Sequence, residues 1–298
     1  MSLLASLGAL ELGLIYSLVA LGVFISFRIL RFPDLTVDGT FATGGAVAAL
    51  MISQGYEPFT VSLCAALAGA VAGSITGCLN TKLGIMDLLA SILMMTALYS
   101  INLRIMGGPN IPLIFDETVF TSTLPAALSD YLWRPMLLAL ILIIVLILLN
   151  LYFSTRSGLA MRATGANLRM ARSQGVATDR SIIGGMALSN AMVALGGALF
   201  AQSQGGADIS MGIGTIVIGL AAVILGQSVI HARRFLFILL SVIFGAIVYR
   251  FFIALALNSD FIGLKAQDLN LVTALLVTIA LILPRLKKLL IKKRESDA

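Results

Sequence analysis

Met136–Leu149 reads MLLALILIIVLILL, fourteen residues with no side chain able to hydrogen-bond water. Apolar runs of this kind recur along the chain, and a helix needs about 20 of them to cross a hydrocarbon core. Nine segments qualify, at about 4–27, 36–54, 59–80, 83–106, 135–153, 181–203, 211–230, 235–257 and 269–284. Those at 36–54 and 83–106 are the weakest, because Asp38 and Asp87 stand near one end. The runs are continuous, not alternating, which argues against a β-barrel. Only 11% of the 298 residues are charged and 59% are hydrophobic, against about 25% charged in a soluble domain. Such a chain cannot cover itself with a water-compatible surface, which excludes a disordered segment, a nucleic-acid-binding module and a cytosolic enzyme. The expected fold is all-α: one polytopic membrane domain over residues 1–298.

Lysine and arginine set the orientation, because short cytoplasmic loops retain them. With the C-terminus inside, sixteen basic residues fall on the inner face and three, Arg104, Arg134 and Lys265, on the outer face, with Arg250 within a span. Nine spans, N-out and C-in, is the arrangement that satisfies this bias. The net charge of +6 is thus read as orientation. The N-terminal segment has Glu11 inside its apolar run and no positive leader, so a retained span is expected there. Cys64 and Cys78 lie fourteen residues apart on one expected helix, about 21 Å along its axis, too far to bridge. His231 has no cysteine or histidine cluster around it, so no metal site and no cofactor are expected.

Residues 18–49 align without gaps to residues 192–223, with seven identities in 32 positions. Val19-Ala20-Leu21-Gly22 matches Val193-Ala194-Leu195-Gly196, and Asp34-Leu35-Thr36 matches Asp208-Ile209-Ser210. Segment 59–80 then pairs with 235–257, and 83–106 with 269–284. The offset of 174 residues covers five spans, an odd number, so the two copies run in opposite directions through the membrane. A 5+4 inverted repeat of this kind belongs to solute transporters with a path near the midplane.

Charges within spans are costly and so draw attention. Glu11 and Arg250 fall at matching depth in the outer third, and an ion pair between them is expected, chiefly fixing helix register. Asp38 and Asp87 lie near inner ends and suggest a charge network with Arg28, Arg31 and Lys82. Asp34 and Asp208 begin spans and complement the helix dipole there, with Thr36 and Ser210 as capping candidates. Gly69, Gly73 and Gly77 form a stripe suited to close helix packing. The glycine-rich starts of the repeat-related helices mark the expected solute route, with Thr40, Thr43, Thr215 and Ser228 as its polar lining.

Two segments between spans are long. Residues 107–134 lie outside, where a short surface helix or docking loop is expected. Residues 154–180 lie inside, with a short helix expected around Asn167–Ser173: Asn167 suits an N-cap and Gly175 a stop. The inner segment reads Gly158-Leu-Ala-Met-Arg162-Ala-Thr-Gly165-Ala-Asn167, then Ala171-Arg172-x-x-Gly175-Val176, and runs into Gly185–Leu199. Together with Pro33-Asp-Leu-Thr-Val-Asp38-Gly and the Gly212–Gly226 stretch, it resembles the bacterial ABC importer permeases for branched-chain amino acids and ribose-type sugars. The resemblance covers most of the chain and is most specific in the inner loop. It implies that Gly165, Asn167, Ala171, Arg172 and Gly175 form a coupling helix seated on a cytoplasmic ATPase subunit. Arg169 and Arg172 suit acidic or carbonyl partners there.

That family implies further partners: an extracytoplasmic binding protein docked over 107–134 and 258–268, and a second permease copy, with the permease itself expected in the bacterial inner membrane. No G-x-x-x-x-G-K-[ST] motif occurs, so ATP hydrolysis is expected on another chain and this one is expected to catalyse nothing. The fit of Asp34-Leu-Thr-Val-Asp-Gly points to an amino acid as solute, possible aromatic cargo included, with a sugar or nucleoside as the alternative. Taken alone, the inverted repeat also suits an ion-coupled secondary transporter. No histidine pair, paired carboxylates or G-x-S-x-G supports an intramembrane enzyme.

Overall fold

A computed structural model describes residues 3–124, 129–230, 232, 234–257 and 278. In chain order the elements are α1 (Leu3–Val23), extended by a π-helical turn at Phe24–Ile29, α2 (Thr36–Ser53), α3 (Pro58–Thr81), α4 (Asp87–Met106), β1 (Asn110–Pro112) and α5 (Val119–Ser122). There follow α6 (Asp130–Ser154), α7 (Arg156–Ala166), α8 (Leu168–Ser173), α9 (Thr178–Gln204), β2 (Gly206–Asp208), α10 (Thr215–Val229) and α11 (Phe235–Leu257). Eight of the nine expected spans coincide with these helices; the ninth, at 269–284, lies outside the described residues.

Among the described residues, six helices are long and apolar enough to cross a membrane: Leu4–Ile29, Pro58–Thr81, Asp87–Met106, Asp130–Ser154, Thr178–Gln204 and Phe235–Ala256. The protein is a polytopic membrane protein. Two expected spans fall short for different reasons. The 15 residues of α10 reach about 22 Å at 1.5 Å each. In α2, Thr36, Asp38, Thr40 and Thr43 dilute the apolar character, and the helix is enclosed by protein instead: all four but Asp38 are buried.

Sequence decides which face each helix turns inward. In α6 the run of Met136–Leu149 divides: Leu138, Leu142, Val145 and Leu149 enter the main core, while Leu140, Ile144, Ile147 and Leu151 are exposed. In α3, Leu63, Leu67, Val71 and Ile75 face outward at a spacing of four. The opposite stripe, Gly69, Gly73 and Gly77, abuts Asn190 and Ala194, Met186 and Ile183 of α9 in turn. The stripe is therefore a packing seam, and its small residues let two backbones approach. Central and rim helices differ accordingly: 78% of the most apolar window of α1 is buried, but only 28% of that of α4.

The repeat-related segments meet each other reciprocally. A Cβ placed on Gly22 would touch Val193 and the carbonyl of Ser189, and one on Gly196 would touch Val19 and the carbonyl of Ile15. Each of these contacts is the other displaced by 174 positions. At the helix breaks, the Asp34 Oδ1 accepts the Thr36 N–H at 2.9 Å and the Asp208 Oδ1 accepts the Ser210 N–H at 2.7 Å. Each carboxylate closes a turn onto the N–H two residues on, and neither α2 nor α10 is capped by the hydroxyl of Thr36 or Ser210.

Segment 107–134 contains a short helix, α5, as expected, but also a departure from the all-α expectation. Strand β1 pairs antiparallel with β2, with Ile111 opposite Ala207. Three residues per strand suffice because the Gln202 side chain accepts from the Val119 N–H and clamps α5 to α9 beside the ribbon.

Candidate functional site

Helices α7 and α8 form a projection between two spans. Thr155 caps α7 by accepting the Gly158 N–H at 3.3 Å, and the Asn167 Oδ1 caps α8 by accepting the Met170 N–H at 3.1 Å. Capping side chains satisfy N–H groups that a helix start otherwise leaves open. Gly175 ends the projection in the left-handed region, φ +81°, where a residue with a Cβ is strained. The helix expected over Asn167–Ser173 is thus present as Leu168–Ser173.

The coupling residues named by resemblance divide into two groups. Gly165 packs against the Ile29 carbonyl, and Ala171 is buried within this chain. Arg172 turns back to the start of α9, donating to the Asp179 carboxylate at 2.8 Å and to the Thr178 hydroxyl. Asn167 and Gly175 shape the ends. What the projection offers outward is Leu168, Arg169 and Met170, all exposed. Leu168 and Met170 form an exposed apolar pair beside Arg169.

A second constellation lies where the start of α2 meets α3, α4, α9 and α10. Asp34 accepts from Asn190 Nδ2 at 2.8 Å, and Asn190 Oδ1 accepts from the Thr40 hydroxyl at 2.7 Å. Thr36 and Thr76 hydroxyls meet at 3.1 Å. All five are buried, so each depends on its neighbours for hydrogen bonds that water cannot supply. Burial pushes the carboxyl of Asp34, which lies between the first two spans, above the ordinary range, while the bonds from Thr36 and Asn190 pull it down. Asp38 caps α10 from a distance: its carboxylate accepts the N–H groups of Gly214 and Ile216 at 3.0 and 2.8 Å and the Thr215 hydroxyl at 2.9 Å. A carboxylate here complements the positive end of the helix dipole.

This arrangement changes the reading of several residues. Asp38 joins no network with Arg28, Arg31 and Lys82, and Asp87 accepts instead from Asn80 Nδ2 at 2.6 Å. Thr40, Thr43 and Thr215 are tied into the buried core, and the Ser228 hydroxyl donates to the Leu225 carbonyl of its own helix. None of the four lines the cleft around Arg28, Arg31 and Arg162 or the one around Tyr56 and Phe115.

Glu11 does not pair with Arg250. The Glu11 carboxylate accepts from the Ser203 hydroxyl at 2.6 Å and stands 3.9 Å from the Arg134 guanidinium. Arg250 lies over the Tyr16 ring, 3.8 Å from its centroid, a cation–π contact. Tyr16 in turn stacks on Phe41 and meets Phe200 edge-on. Matching depth placed Glu11 and Arg250 at one level; the direction each faces around its helix separates them. The segment 258–268, with Lys265, expected as an outer docking loop, lies outside the described residues.

Comparison with known proteins agrees with this architecture. The family model described as "Branched-chain amino acid transport system / permease component" matches residues 6–283. The chain is 38% identical over 265 residues to a tyrosine transport system permease protein of Clostridioides difficile (strain R20291), covering 89% of this chain and 86% of that protein. It is 36% identical over 276 residues to an uncharacterised protein of Rickettsia prowazekii (strain Madrid E), covering 92% and 95%. An autoinducer 2 import system permease protein of Yersinia pseudotuberculosis shares 30% identity over 210 residues, 70% of this chain and 58% of that protein. With six span-length helices and a family match over nearly its whole length, the chain belongs to the permease components of branched-chain amino acid transport systems, the ABC importer permeases that its inner loop resembles.

Proposed function

We propose that this chain is the membrane-spanning subunit of an importer for a small solute, an amino acid and foremost an aromatic one. The α7–α8 projection carries the proposal: it stands between two spans, it is rigidly capped, and it presents Leu168, Arg169 and Met170 outward. A separate ATPase seats on that surface from the cytoplasm. ATP-driven movement of the projection is passed through the Gly165 contact to the end of the first span, and through the Arg172–Asp179 pair to α9. The tyrosine transport permease relative supports the choice of cargo. A sugar-like solute is the second reading, supported by the more distant autoinducer 2 permease.

The fuller architecture is part of the proposal: nine spans, N-out and C-in, in a 5+4 inverted repeat. The reciprocal Gly22–Val193 and Gly196–Val19 contacts and the matching aspartate turns support it. Two copies in the bacterial inner membrane, with an extracytoplasmic binding protein delivering solute, complete the assembly.

The test uses the Leu168→Asp/Met170→Asp double variant beside wild type, expressed with the partner ATPase and binding protein. Charged substitutions at a desolvated anchor cost about 2 kcal/mol or more each, so ATPase retention on purification is expected to fall at least tenfold. ATP-dependent tyrosine uptake into vesicles should fall with it, while thermal unfolding of the permease stays unchanged. Undiminished retention and uptake would remove the projection from the coupling role.

A further inference from the structure

A cleft of about 480 Å³ opens between the π-helical end of the first span, α7, the end of α10 and the start of α11. Arg28, Arg31 and Arg162 line it, together with apolar side chains that include Ile230, Phe235 and Ile238, and no carboxylate does among the described residues. None of the three arginines joins an ion pair among the described residues. Three like charges facing one cavity repel unless an anion lies between them.

The backbone holds this arrangement at a cost. Arg31 is in the left-handed region, φ +56°, the one non-glycine residue there among those described. The turn before it is π-helical, a form that concentrates at functional sites. Such strain persists only where the surroundings impose it. Arg162 is steadied by its position over the Phe235 ring, 5.2 Å from the centroid.

From this geometry we infer that the cleft binds the phosphate of an anionic phospholipid of the inner leaflet. Guanidinium groups match phosphate oxygens in forked hydrogen bonds, and basic pockets between spans on the cytoplasmic side suit anionic headgroups. The apolar wall beside the arginines favours a lipid over free phosphate, since it can also take the first part of an acyl chain. Gly165, at the base of the coupling projection, is part of the same cleft, so the headgroup sits against the moving element. The inference rests on the inward orientation proposed above, but headgroup binding is read without transport.

The full chain, purified in detergent, is titrated with phosphatidylglycerol, phosphatidylcholine or inorganic phosphate, and bound lipid is counted by native mass spectrometry. One phosphatidylglycerol per chain is expected, in preference to phosphatidylcholine. An Arg28→Gln/Arg31→Gly/Arg162→Gln variant is expected to bind phosphatidylglycerol about a hundredfold more weakly, at roughly one unit of lipid attraction per arginine. Arg31→Gly alone keeps the backbone conformation, since glycine accepts positive φ, and should weaken binding about fivefold. Equal binding by wild type and variants, or no preference for the anionic lipid, overturns the site. Displacement of phosphatidylglycerol by millimolar inorganic phosphate overturns the lipid assignment in favour of a free anion. Loss of ATP-driven uptake with intact lipid preference would count against the transport proposal and leave the lipid site standing.

Discussion

Replacing Gly73 by alanine is expected to lower the unfolding temperature of the purified protein by roughly 5 °C, and replacing it by leucine to prevent accumulation of folded protein. A Cβ at Gly73 would overlap the Met186 carbonyl, a backbone atom that cannot rotate away. The same seam holds Gly69 against Asn190 and Gly77 against Ile183, so a shift made for one position strains the others. Overpacking of this kind costs about 1–3 kcal/mol for a small group and more for a large one. Gly184, on α9 but facing open space, supplies the control: alanine there should leave stability unchanged or slightly raised, because it favours helix. Equal tolerance at Gly73 and Gly184 would mean that α3 and α9 are not in backbone contact.

Asp38→Ala is expected to cost about 2 kcal/mol and to abolish transport in proportion to the loss of ordered α10. The substitution opens the N–H groups of Gly214 and Ile216 together, while the Thr215 hydroxyl keeps the Gly212 carbonyl as acceptor. Asp38→Asn keeps one acceptor oxygen but loses the charge, and should retain about half of the stability. Thermal unfolding with and without the variant checks this, and an Asp38→Ala protein as stable as wild type would contradict the capping role.

Much of the architecture was legible because lipid imposes a simple rule: long apolar runs become helices. The Gly69–Gly77 stripe, the helix over Leu168–Ser173 and the turns closed by Asp34 and Asp208 follow from local spacing, which sequence records directly. Residues that act across the fold were harder to read. Asp38 serves a helix start 176 positions away, and nothing near Asp38 in the chain marks that. Glu11 and Arg250 share a depth, but depth does not give the direction a side chain faces, so Arg134 and Tyr16 emerged as partners only in three dimensions. Arg172 looked available to a partner protein because its acceptor, Asp179, lies beyond the turn at Gly175. Gly165 carried a family signature that the fold explains by packing against Ile29.

The inward exposure of Leu168–Met170 is tested most directly by side-specific labelling. With Cys64 and Cys78 replaced by serine, Met170→Cys supplies one thiol at a position 61% exposed. A membrane-impermeant maleimide is expected to label it in inside-out vesicles only, and far more slowly once the partner ATPase is bound. Labelling from the outer face, or labelling that is indifferent to the ATPase, would contradict the coupling role of the projection.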